Sequence, residues 1–102
     1  MQIALAQFDA VVGDLEGNAA AIRSSAAEAS AFGADLLVFP ELCLLGYPPR
    51  DLLLRDEVVP ACERLVAQLA RDLPLPTLIG TPRHLDRGSG RIANSIALCR
   101  HG

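Results

Sequence analysis

The chain has 102 residues with nine arginines, no lysine and twelve acidic side chains, for a formal net charge of −3, and 51 % of it is hydrophobic. That length suits one compact domain, and that apolar content excludes global disorder. A slight acidic balance argues against a nucleic-acid or anionic-membrane surface, and no apolar run approaches the roughly 18 residues of a membrane span.

The N-terminal run Ile3-Ala4-Leu5-Ala6-Gln7-Phe8 is apolar on both alternating faces, which predicts a strand covered on both sides and central in its sheet. It has no basic leader and meets Asp9 too early for a signal peptide. Gly13 and Asp14 break the strand, with Asp14 a helix N-cap. A helical pattern then runs from about Glu16 to Phe32 and stops at Gly33, a C′ residue. Asp35–Phe39 reads as a second buried strand, ended by Pro40. Strand, helix and strand with short links make a βαβ unit and a parallel pair.

An irregular stretch, Glu41 to Asp51, precedes a second helix from about Leu54 to Asp72. Val58, Cys62, Leu65 and Leu69 form its apolar stripe. Strands near Thr77–Gly80 and Ile92–Cys99 follow, joined by the polar segment His84–Gly90 as a hairpin loop. The order is β-α-β-α-β-β, an α/β (mixed α+β) class that excludes all-α and all-β folds.

Glu41 is the first chemical candidate. It follows a buried strand and a proline, at the carboxyl end where open sheets place ligand sites. Among Leu42, Leu44 and Leu45, its carboxyl is expected to titrate high and serve as a general base. The alternative is a solvated or helix-capping loop glutamate. Gly46-Tyr47-Pro48-Pro49-Arg50-Asp51 is stiffened by its prolines. It is either a pocket wall offering Tyr47 or a rigid connector to the next helix.

Cys43, Cys62 and Cys99, an odd number without close spacing, point to packing rather than to disulfides or activated thiolates, and so to a reducing cytoplasm. His84 and His101 have no partners at metal-ligand spacing, so no metal site is expected. Gly88-Ser89-Gly90 is too short for a phosphate loop. Asn94, polar in an apolar strand, is expected to play a structural hydrogen-bonding part.

Ala6-Gln7-Phe8, then Gly13-Asp14 with Asn18, then Gly33-Ala34-Asp35-Leu36-Leu37-Val38-Phe39-Pro40-Glu41 resembles the nitrilase (carbon–nitrogen hydrolase) superfamily. Gly46-Tyr47-Pro48-Pro49 with Asp51-Leu52-Leu53 narrows the resemblance to the glutaminase domains of glutamine-dependent NAD⁺ synthetases, and Asn94 also fits the family. The resemblance implies a four-layer αββα sandwich, of which this chain is a part. It also implies a Glu-Lys-Cys triad with L-glutamine as substrate, Glu41 as general base and Tyr47 lining the glutamine pocket. No cofactor is expected in this domain; ATP and magnesium are implied for a separate synthetase domain, and homo-oligomers for the whole protein.

The departures are as specific as the match. The family's Lys and Cys follow the hairpin on which this chain ends, and no lysine is present. Residues 1–102 are therefore expected to be a truncated N-terminal portion of the glutaminase domain, inactive alone. The other readings are a different nitrilase-superfamily amidase, or a non-catalytic assembly module.

Overall fold

The computed structural model describes residues 1–47, 55–85 and 91–100. The elements in chain order are β1 (Ile3–Leu5), α1 (Leu15–Ala31), β2 (Leu36–Val38), α2 (Val58–Asp72), β3 (Thr77–His84) and β4 (Ile92–Cys99). The Asp14 carboxylate accepts from the Gly17 amide at 3.0 Å and so caps α1. The expected start of α2 near Leu54 lies outside the described residues, and the helix is formed from Val58. Val59 rather than Val58 is the buried member of its stripe, with Cys62, Leu65 and Leu69.

The strands lie in sequence order, β1-β2-β3-β4. The first two pairings are parallel and the hairpin β3–β4 is antiparallel. β3 outruns its expected end at Gly80, because its pairing with β4 continues to His84 opposite Ile92. The other hairpin-loop residues, 86–90, lie outside the described segments.

One expectation fails at β1. It lies at an edge of the sheet rather than in the centre, and its Ile3 and Leu5 are exposed. Apolar content on both faces reports what a strand can tolerate, whereas its position follows from which elements are present to cover it.

Both helices contribute to a single core. Ala19, Ile22, Ala26 and Ala29 of α1 join Cys62, Leu65 and Leu69 of α2 against Leu37, Phe39, Ile79 and Cys99 of the sheet. Beside it, Phe8 meets Phe39 edge to face at 5.9 Å. An Arg23–Asp72 ion pair at 3.2 Å links the helices, but both side chains are substantially exposed and such pairs contribute little.

Among the described residues no helix lies on the opposite sheet face. Register aligns Leu5, Val38, Leu78 and Leu98 as a row across it. Leu98 and its neighbour Ile96 are exposed. The described residues thus supply one helical layer and one sheet layer.

This asymmetry makes a stability prediction. Leu69→Ala, which opens a cavity in the core, should cost about 2–5 kcal/mol. Leu98→Thr on the open face should change stability by less than about 1 kcal/mol. Denaturant midpoints of the two variants measure the contrast.

Candidate functional site

The segment after β2 turns back over the sheet instead of continuing along it. The Gly46 amide donates to the Leu42 carbonyl at 2.8 Å, closing one helical turn over residues 42–46. Leu42 enters this turn at φ +49°, a left-handed conformation that disfavours an L residue by about 1–2 kcal/mol. Leu42, Leu44 and Leu45 compensate by burying their side chains.

Two glycines let the turn settle. A Cβ on Gly80 of β3 would lie 2.5 Å from the Leu42 nitrogen and 2.9 Å from the Glu41 Cα, so the backbone of 40–42 rests directly on β3. Gly46 has φ +96°, and a Cβ there would lie 2.6 Å from the Val12 Cα. The Gly13 amide donates to the Leu45 carbonyl at 2.9 Å, tying this turn to the loop before α1.

Asn18, 2 % exposed, completes the tie. Its Oδ1 accepts from the Val11 amide at 2.9 Å, while its Nδ2 donates to the carbonyls of Val11 at 2.9 Å and Leu44 at 2.8 Å. One side chain in the first turn of α1 thereby bonds both loops. Sequence reasoning found Asn18 only as part of a family pattern; its partner Leu44 is 26 residues away.

Glu41 emerges from this turn exposed, on the helix-free face. The three neighbouring leucines do not surround it, since their side chains enter the core. The apolar-pocket expectation for its carboxyl is therefore corrected: adjacent residues in a turn point in different directions. Asn94 of β4 donates from Nδ2 to Glu41 Oε1. Asn94 is exposed rather than buried, and its partner is the candidate acid–base group itself. Phe39, Pro40, Glu41, Gly80, Asn94 and Ile96 are among the residues lining a cleft of about 300 Å³ here.

Tyr47 does not line this cleft and is 63 % exposed. Pro48 to Asp51, the rest of its expected pocket wall, lie outside the described residues, as do Gly88-Ser89-Gly90 and His101. Among the described residues no group of three or more His, Cys, Asp or Glu is arranged to hold a metal ion. No helix among them is long and apolar enough to cross a membrane.

All three cysteines are free and buried. Desolvation pushes the thiols of Cys43 and Cys62 from the ordinary 9.0 up to about 11 and raises that of Cys99 as well. For Cys43, backbone hydrogen bonding at Gly80 and at its own main chain partly opposes the rise. These are packing groups, as expected, not thiolates poised for attack. Unfolding would let each thiol lose its proton more readily. Between pH 9.0 and about 11 the unfolded chain therefore holds fewer protons than the folded one, and stability falls as pH rises. Denaturation across that range should show the fall, and combining Cys43→Ala, Cys62→Ala and Cys99→Ala should flatten it.

Residues 2–101 match the carbon–nitrogen hydrolase family. The glutamine-dependent NAD⁺ synthetase of Synechocystis sp. is 42 % identical over 98 % of this chain, which spans 19 % of that relative. The structure of glutamine-dependent NAD⁺ synthetase from Acinetobacter baumannii superposes with a TM-score of 0.87 at 33 % identity, covering 96 % of this chain and 18 % of that one. An amidase from Nesterenkonia sp. superposes with a TM-score of 0.69 at 38 % identity, covering 80 % and 32 % respectively. With nearly its whole length matched and its fold shared with solved relatives, the chain belongs to the carbon–nitrogen hydrolase family.

Proposed function

We propose that these residues form the base-bearing N-terminal part of the glutaminase domain of a glutamine-dependent NAD⁺ synthetase, a cytoplasmic ligase. The observation that carries this reading is the placement of Glu41. Its carboxylate stands on the helix-free sheet face at the end of β2, with one oxygen taken by Asn94. Near-complete coverage by synthetase relatives supports the same reading.

The chemistry needs a base beside a thiol nucleophile. Glu41 takes the thiol proton through its second carboxylate oxygen as sulfur attacks the amide carbon of L-glutamine. A positive charge steadies the oxyanion. Collapse breaks the C–N bond, Glu41 returns the proton to the departing nitrogen, and ammonia leaves behind a thioester that water cleaves to glutamate. The Asn94 amide holds the carboxylate in the plane this shuttle requires. The released ammonia then amidates deamido-NAD⁺.

The nucleophilic cysteine and the lysine belong to parts of the domain beyond these residues, since the chain has no lysine and its three thiols are buried. Residues 1–102 by themselves have no amidase activity in this reading. ATP and magnesium serve the synthetase step in a separate synthetase domain. Tyr47 remains a candidate wall of the glutamine pocket from outside the Glu41 cleft, and the whole protein is a homo-oligomer.

The likeness to the Nesterenkonia amidase favours one second reading, a free-standing amidase acting on another amide. The experiment separates the two. In the full product of the gene, Glu41→Gln should abolish glutamine-driven NAD⁺ synthesis, by at least about 10³-fold, and leave ammonia-driven synthesis intact. Glutamine use at the unsubstituted rate would remove Glu41 from the mechanism. Hydrolysis of simple amides without any NAD⁺ synthesis would select the amidase.

A further inference from the structure

We propose that Asn18 is a positioning residue for the Glu41 carboxylate, acting through the 42–46 turn; this rests on the proposed role of Glu41. Three observations converge on it. The turn enters through Leu42 at φ +49°, a conformation it does not favour by itself. Backbone contact holds it from below, where Gly80 leaves room for the Leu42 nitrogen and the Glu41 Cα. On its other side the Asn18 amide bonds Leu44 O at 2.8 Å and both backbone groups of Val11.

Asn18 is anchored in turn. It is buried, and its own backbone amide donates to the Asp14 carbonyl at 2.9 Å within the capped first turn of α1. The rigid helix is thereby connected through one side chain to the turn that aims the carboxylate. Neither a hydroxyl nor a carboxylate replaces this group, because it must accept one hydrogen bond and donate two at once. An ionised carboxylate in its place would face two carbonyl oxygens without a proton to give.

The consequence is specific to the chemical step. Small displacements of a general base reduce rate steeply while leaving substrate affinity largely alone. In the full product of the gene, Asn18→Ala should lower kcat for glutamine hydrolysis by about 10–100-fold. KM should stay within about 3-fold, ammonia-driven synthesis should be unchanged, and Asn18→Asp should behave like Asn18→Ala. Ile22→Val, one helical turn further along α1 in the same core and without a polar group to bond the turn, serves as the stability control and should keep kcat. Hydrogen exchange provides a readout independent of turnover. The Gly13 and Gly46 amides, bonded to Leu45 O and Leu42 O, should exchange faster in Asn18→Ala and not in Ile22→Val.

If Glu41→Gln abolishes glutamine use while Asn18→Ala leaves kcat unchanged, the positioning role is wrong and the base assignment stands. Equal losses of kcat in Asn18→Ala and Ile22→Val would reduce Asn18 to a contributor to general stability and overturn the inference. Full glutamine use by Glu41→Gln would remove both the base and the residue said to position it.

Discussion

The site depends on backbone lying directly against backbone. At Gly80 the chain leaving β2 rests on β3 with no side chain between them, close enough that a single methyl group would contact three main-chain atoms. That contact converts an exposed glutamate after a strand into a carboxylate with a defined place on the sheet. Everything nearby follows from it: the left-handed Leu42, the burial of Leu44 and Leu45, and the reach of Glu41 to Asn94. A turn forced this close could spring away, and the Asn18 amide opposes that from the far side. Polar groups as buried as these must be paired, so the same bonds that satisfy them also specify the geometry.

The two faces of the sheet divide the labour. One is filled by alanine-rich α1 and by the strongly amphipathic α2, and it supplies the core on which the strands are held. The other carries Glu41, the proposed acid–base group, among exposed aliphatic side chains. A carboxylate intended to exchange protons with a substrate gains from standing on a sheet, since strands define its position more tightly than a free loop would. Aliphatic neighbours on that face suit a reaction centre from which water is excluded once the face is covered.

The cysteines show how one residue type can be read correctly from pattern alone. Cys62 falls on the apolar stripe of α2 and Cys99 on the inward-facing positions of β4, and both are buried. Cys43 is only two residues from Glu41, yet its thiol turns away into the core and donates to the Gly80 carbonyl. Sequence proximity to a candidate site residue says little in a tight turn, where successive side chains diverge.

Local rules made the elements legible. The capping aspartate, the period of α2, the parallel pair around α1 and the terminal hairpin are each set by residues within a few positions of one another, and they occur as expected. Glu41 was legible as a candidate because proline ends a buried strand immediately before it. The edge position of β1 and the hydrogen-bond partners of Asn18 and Asn94 were not legible. Asn94 meets Glu41 across 53 positions and Asn18 meets Leu44 across 26, and no periodicity encodes such encounters. By itself the sequence determined which segments become helix or strand and which face of each is apolar, because hydrophobic period and capping act locally. The tertiary structure alone decided which polar side chains meet, because that depends on the order of strands in the sheet and on how closely one stretch of backbone can approach another.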